Sequence, residues 1–552
     1  MTQQVPGVGA SGKLSAPPET AEPKGHLMTT LDMSALGAAL DALPHRFPGP
    51  GGVAGVVKDG EVVAARAWGH KNVETGAPMT RGTRLQNCLI AKQFTCAVLL
   101  AEVGDPSRLD AGVRDYLPDY RAPLPPVRQL CDNQSGLRDY WALTVLHGAM
   151  AEQEFRREDA LPLIARMKTG HFAPGTRYSY CNCNFRIVSE LVERESGAAL
   201  EDLYRRHVWG PAGMGSAVLT SDTRRPEDGV TGYEGTPDAG YFPARNGIFW
   251  IGDAGISAAL DDMLAYECWI DATREDPDSL YRRISVPPSF ADGNPARYAC
   301  GLAHGSLDGV ALTGHGGALR GFRAQRFHAV SERLSVVVMF NHQGSAHDAA
   351  LSLIRAALGR PEAPRPPMPE GWAGQWLAQE TGLLARIAPE RQAAILRYAT
   401  TPDCLTLAED GALVAPGIRV SRTDRSLRME RAGENADLRL EPVPPVTVAD
   451  GAEIAGRWHS DELGAKMIVE ARDGGVHARF EGMLGAGRME RLSPAGPDIW
   501  LLATRRSMDA PAPGDWTLRV RRDAEGRVAG LTLGCWLARG IGYSRGAGVA
   551  SA

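Results

Sequence analysis

A chain of 552 residues, 43% apolar and 23% charged, has the make-up of a globular protein with two to four domains and at least one large core. A formal charge of −5 and a pI near 6.3 exclude the broadly basic surface that nucleic acid or an anionic membrane would require. Nine scattered cysteines, odd in number, fit reduced thiols better than a disulfide framework, and no apolar run reaches the ~20 residues of a membrane span, so a cytoplasmic location is expected.

Residues 1–27, rich in Pro, Gly and Ser, lack the apolar segment of a signal peptide and read as a disordered extension, with Met28 or Met33 as the functional start. GVGASGKL at 7–14 nearly spells the phosphate loop G-x-x-x-x-G-K-[ST], but Leu14 replaces the hydroxyl, no strand precedes it and a Pro-rich stretch follows, so the match is by chance. From Met28 to Arg360 strands and helices mix. SALGAALDAL (34–43) has helical periodicity, and GGVAGVVKDGEVVAARAWG (51–69) reads as a hairpin about a Lys-Asp-Gly turn. NCLIAKQFTCAVLL (87–100) reads as a buried helix with a single lysine, Lys92. ALPLIARMK (160–168) and FRIVSELVERESG (185–197) are helical, the second closing on Gly197, and LSVVVMFN (334–341) is a strand ahead of a helix at HDAALSLIRAAL (347–358). An antiparallel sheet with helices against it is the simplest architecture for residues 28–360.

PEAPRPPMPE (361–370) is a Pro-rich linker. Beyond it strands and turns dominate, and GQWLAQETG (from 374) and GRWHSDELG (from 456) share G-x-W-x-x-x-acidic-x-G at a distance of 82 residues. Two related all-β modules follow, 371–445 and 446–552, divided near EPVPPVTVADG (441–451), with small barrels as their expected form.

Lys92 carries the first chemical signal. On a helix, Leu89 is its i−3 neighbour and Cys88 its i−4 neighbour. A lysine in an apolar helix is ordinarily a core residue that snorkels to the surface. A desolvated lysine can also serve as a general base, which arginine cannot, and only seven of the 60 basic residues here are lysines. Such a lysine is used in S-x-x-K, where a serine one turn upstream becomes an acyl-enzyme nucleophile, yet none of the seven has serine three residues before it. Two companions of that motif are present. Tyr180 and Asn182 form the chain's one Y-x-N, and H-x-G occurs at His315 (TGHGGALRG, 313–321) and at His342 (FNHQG, 340–344). His315 is preferred, because Gly316 and Gly317 permit close backbone approach to a ligand, whereas His342 closes a strand. Cys181 and Cys183 are too close for a zinc pair, and no metal is expected.

RLQNCLIAKQFTCAVLL (84–100), NQSGLRDYWALTVL (133–146), HFAPGTRYSYCNCNFRI (171–187), LTGHGGALRGFRAQRF (312–327), FEGMLGAGRM (480–489), RRSMDAP (505–511) and GCWLARG (534–540) together resemble the D-aminopeptidase family of penicillin-recognising serine hydrolases. The resemblance runs from Met28 onward and implies an α+β fold, a β-lactamase-like catalytic domain followed by two antiparallel β-barrels. It also implies a homodimer without cofactor or metal, which releases N-terminal D-residues such as D-alanine from small peptides and amides. By position, the general base falls on Lys92, the proton-relaying phenol on Tyr180, the substrate-orienting amide on Asn182 and the strand histidine on His315, with Gly316 and Gly317 beside the substrate. A loop of the last barrel, Leu484, Gly485, Ala486 and Gly487, is implied to reach the site.

The chain departs from that family at two places. The nucleophile falls on Leu89, which has no lone pair, and removing a nucleophile that acts in a unit costs about 10⁶-fold in turnover. Cys88 and Ser179 are the available substitutes, Cys88 being rotated ~100° around a helix from Leu89. The acidic partner of the substrate ammonium falls on Arg488, which either favours a carboxylate ligand, with Glu481 and Glu490 compensating, or points to solvent. Three readings follow: a D-aminopeptidase whose residue 89 is a sequence error or a recent loss, a catalytically silent binder of D-peptides, or a β-lactamase, penicillin-binding or esterase relative on the same fold.

Overall fold

Asp59 and Gly60 both take left-handed backbone (φ 54° and 82°), as a two-residue hairpin turn between right-twisted strands requires. The turn sets Lys58 opposite Glu61 and joins strands Gly51–Lys58 and Glu61–Asn72. In the computed structural model, which describes residues 31–361, 369–390, 393–447, 449–503, 507–509 and 514–545, this hairpin seeds an eight-stranded antiparallel sheet. Its order is Ala77–Pro78, Glu61–Asn72, Gly51–Lys58, Leu334–Phe340, Phe322–Ala329, Val310–Leu319, Leu302–Leu307, Tyr298–Ala299. The expected N-terminal extension, the phosphate-loop look-alike, residues 362–368 of the Pro-rich linker and most of RRSMDAP lie outside the described residues.

Gly51–Lys58 is buried along its whole length because both faces of the sheet are covered, which is why it reads as unbroken apolar sequence instead of alternating. On one side Ala54, Val56, Val336 and Val338 share a core with Leu36, Leu40 and Leu43 of helix Met33–Arg46 and with Leu351 and Ile354 of helix Ala346–Ala357. On the other side Gly55 lies so near Leu264 of helix Leu260–Ala272 that a Cβ there would come within 2.8 Å of it. Each fully buried leucine in such a core stabilises by roughly 1.5–3 kcal/mol.

The chain forms two compact units, one of Met1–Ala111, Pro126–Asn133 and Asn184–Pro364, the other of Gly112–Pro125, Gln134–Cys183 and Arg365–Ala552. The sheet and its helices lie in the first. The second holds helices Tyr140–Leu146 and Arg157–Ala165 and two antiparallel barrels. One barrel closes over eight strands from Gly374–Ala378 to Ala436–Pro442, around Ala385, Leu396, Leu413, Val420, Met429 and Leu440. The other runs from Gly456–Ser460 to Ala538–Arg545 and closes where Ala465–Arg472 pairs with Gly475–Gly482, leaving Gly485–Ala486 attached to the latter. The repeat marks the opening strand of each barrel, at Gly374 and Gly456. Its tryptophans differ: Trp458 is buried and donates to the Ile454 carbonyl at 2.9 Å, whereas Trp376 is partly exposed. Among the described residues no helix is long and apolar enough to cross a membrane, and no group of three or more His, Cys, Asp or Glu could hold a metal ion.

One expectation fails. Residues 87–100 are not one helix: Leu85–Cys88 is a strand paired with Ile256–Ala258, and the helix is Ala91–Glu102. An apolar run carries no period that separates a buried strand from a buried helix.

Candidate active site

At Cys88 the backbone turns into the left-handed region (φ 51°), a conformation that costs a non-glycine residue about 1–3 kcal/mol and ends the strand. The N–H groups of Ile90 and Lys92 then close on the carbonyls of Asn87 and Leu89, each at 3.2 Å, and the helix begins. Leu89 therefore stands on a strand-to-helix elbow and not on a helix face. From Leu85 to Leu100 it is the one residue that is not buried. Cys88 is fully buried, its thiol donating to the Gln86 carbonyl at 3.4 Å, and Ser179 is also buried, so neither presents an open nucleophile.

Lys92 follows in the first turn of the helix and is 0% exposed. Its Nζ donates to the Asp253 carbonyl at 2.7 Å and lies 5.3 Å from the ring centroid of Phe185, on helix Asn182–Ser196. Strand Val310–Leu319 passes directly behind the elbow. At Gly317 a Cβ would stand 2.3 Å from the Asn87 carbonyl oxygen and 2.9 Å from Cys88 Cβ, so only glycine fits without displacing backbone. Two residues earlier on that strand His315 is buried, with Nδ1 2.5 Å from the Gly316 carbonyl and Nε2 2.9 Å from the Tyr298 hydroxyl. Because a carbonyl can only accept, Nδ1 carries the proton and Nε2 accepts from Tyr298. Burial first, and the Lys92 charge second, push the His315 pKa down to about 3, so the ring is a neutral strut at physiological pH.

Opposite His315 in the sheet register is Arg326, whose guanidinium anchors the assembly. It pairs with Glu267 through Nε and Nη2 at 2.5 and 2.8 Å, both side chains being 0% exposed. It also donates to Tyr281 and to Gln93, the residue after Lys92. One buried cation thus ties the lysine-bearing helix to the histidine-bearing sheet and to helix Leu260–Ala272.

In the second unit, Asn182 opens its helix with its backbone N–H and its Nδ2 both on Asp139 Oδ2, at 2.6 and 2.8 Å. Asp139 is wholly buried and also caps helix Tyr140–Leu146 by accepting from Trp141 and Ala142. Burial, with the charge of Asp509, pushes its carboxyl up to about 7. Tyr180 is partly exposed and packs at the edge of the first barrel's core. The loop after Gly475–Gly482 is a tight hairpin: the Leu484 N–H donates to the His147 carbonyl at 3.0 Å, and Gln153 Nε2 donates to the Leu484 carbonyl at 2.8 Å. Gly485 and Ala486 are exposed and Gly487 half-buried. Arg488 is exposed and makes no ion pair among the described residues.

A family model described as Beta-lactamase matches residues 40–360, and one described as D-aminopeptidase, domain B, matches residues 366–544. A D-aminopeptidase of Cereibacter sphaeroides is 65% identical over 516 residues, covering 94% of this chain and 100% of that one. The chain belongs to the D-aminopeptidase family. A D-aminopeptidase of Brucella canis is 46% identical over 521 residues, again 94% of this chain and 100% of the relative. Among solved structures, the octameric penicillin-binding protein homologue from Pyrococcus abyssi is similar with a TM-score of 0.51 and 18% identity, over 74% of this chain and 100% of that one; it shares the fold.

For this member of the D-aminopeptidase family, the structure brings Leu89, Lys92, His315, Gly316 and Gly317 together in the first unit, and Asn182 together with Asp139 in the second. Tyr298, Asp253, the Arg326–Glu267 pair and Asp139 were not foreseen. Only Asp139 left a signal, as an aspartate directly ahead of the apolar run YWALTVL, the position of a helix cap.

Proposed function

We propose that this chain has the specificity of a D-aminopeptidase, binding small peptides and amides that begin with a D-residue, and that as written it binds without turnover. One observation carries the reading. The elbow residue, the only open position between Leu85 and Leu100, stands one turn from the buried Lys92 side chain and is a leucine. The relatives at 65% and 46% identity, named D-aminopeptidases, supply the substrate class.

With a serine at 89, the chemistry follows from the roles that the family resemblance assigns to these residues. The hydroxyl oxygen attacks the substrate carbonyl while its proton passes to the lone pair of Lys92 Nζ, which acts in its neutral amine form. Tyr180 relays a proton to the departing amine as the C–N bond breaks, and water then releases the D-residue from the serine ester. Asn182 orients the substrate, and the strand at His315–Gly317 lies along it. The loop Leu484–Gly487 sets the room for the D side chain, and Arg488 turns outward, leaving Glu481 and Glu490 as the acidic groups flanking the loop. The enzyme needs no cofactor in this scheme and works as a cytoplasmic homodimer. With Leu89 in place the first bond cannot form. The reading is tested by calorimetry on the chain as written: D-alanine amide gives saturable heat and L-alanine amide does not. Equal binding of both enantiomers would contradict it, and so would binding of neither.

A further inference from the structure

Asn182 can present either end of its amide to a ligand, and its surroundings decide which. Asp139 Oδ2 accepts from both the Asn182 backbone N–H and Nδ2, at 2.6 and 2.8 Å. Oδ1 is occupied by the N–H groups of Trp141 and Ala142 at 3.0 and 3.3 Å. The Asp139 N–H itself donates to the Leu537 carbonyl at 3.0 Å, inside the GCWLARG turn of the last barrel. An ionised carboxylate has no hydrogen to give, so it admits only the nitrogen end of the amide and turns Oδ1 of Asn182 the other way.

We propose that Asp139 is the positioning residue for Asn182: clamped between the cap of helix Tyr140–Leu146 and the GCWLARG turn, its carboxylate fixes the Asn182 amide so that Oδ1 faces the N–H groups of a bound D-residue amide. This rests on the reading that Asn182 meets the substrate. Asp139 touches no substrate in this account and acts through Asn182.

The clamp depends on ionisation. A protonated Asp139 offers an O–H where Asn182 offers N–H, and the selection between amide ends is lost. The charged and titratable groups around it favour that loss near neutrality. Asp509 adds a like charge, itself accepting from Ser507 Oγ at 2.7 Å. Cys535 stays a neutral thiol, pushed up to about 12 by burial. The guanidinium of Arg138 is directed to Glu462 at 2.6 Å and to the Thr169 and Arg539 carbonyls. With the Asp139 carboxyl held at about 7, the deprotonated and selecting form is present above that pH and lost below it.

The test is calorimetric titration of the full chain with D-alanine amide from about pH 5 to about pH 9, for the protein as it stands, Asp139→Asn and Asp509→Asn. The ligand's own amine titration is common to all three and subtracts out. The parent affinity should rise through about pH 7. Asp139→Asn should bind about tenfold more weakly on the alkaline side and lose the rise. Asp509→Asn, which removes the like charge, should move the midpoint down by roughly one pH unit. If Asp139→Asn fails to fold, the Asp509→Asn midpoint decides alone. Binding with unchanged pH profiles in the folded variants overturns the positioning role and leaves the D-aminopeptidase reading intact. Absence of D-alanine amide binding in the parent and in both variants overturns that reading, and the positioning role with it.

Discussion

At the scale of single residues, the site is built by exclusion as much as by attraction. Lys92 donates to the Asp253 carbonyl and lies over the Phe185 ring, His315 is kept neutral, and Gly317 has no room for a methyl group. The last point gives a direct expectation. In Gly317→Ala the new Cβ would meet the Asn87 carbonyl oxygen at 2.3 Å, and the elbow carrying Leu89 must move. Urea unfolding should show a loss of about 1–3 kcal/mol, the usual penalty for overfilling a packed interior. An unchanged midpoint would mean that the strand does not press on the elbow as described.

At the scale of elements, the lysine-bearing helix is positioned from outside its own sequence. Arg326 of the sheet and Glu267 of helix Leu260–Ala272 lie 59 residues apart and are both excluded from solvent. Such a pair is weak support for stability as a whole, but removing one partner strands the other charge. Glu267→Gln should therefore cost about 3–5 kcal/mol in chemical denaturation, while the double change Glu267→Gln with Arg326→Met should recover part of that loss. A double variant no more stable than the single one would show that the pair is not the anchor of Gln93 and the helix. The same distance explains what sequence reading could reach. The Asp59–Gly60 turn was legible because turn chemistry is local, and the two barrels were legible because Gly374 and Gly456 repeat the same opening pattern. The elbow was not. Leu85 to Leu100 is mostly apolar with no clear period, and the left-handed turn at Cys88 accompanies a strand arriving from residue 317, which no local pattern announces. Asp139 was readable as a helix cap, but its grip on Asn182 spans 43 residues.

At the scale of the whole molecule, the match to a D-aminopeptidase covers 94% of the chain, and the sequence resemblance assigns a residue of the implied type to each site position except 89 and 488. The two exceptions differ in weight. Arg488 is exposed and makes no ion pair among the described residues, so solvent and salt screen its charge. Leu89, at the position the resemblance assigns to the nucleophile, has no lone pair to attack a carbonyl, while Lys92, His315 and Asn182 have their hydrogen-bond partners. The central claim is therefore an intact scaffold silenced at one side chain. It is tested most directly by stopped-flow release of p-nitroaniline from D-alanine p-nitroanilide, comparing the chain as written with Leu89→Ser. The account predicts no burst and no turnover above background for the leucine protein, and a burst with sustained turnover for the serine variant, a difference on the order of 10⁶-fold. Equal activity in the two proteins, or a serine variant as silent as its parent, would contradict it.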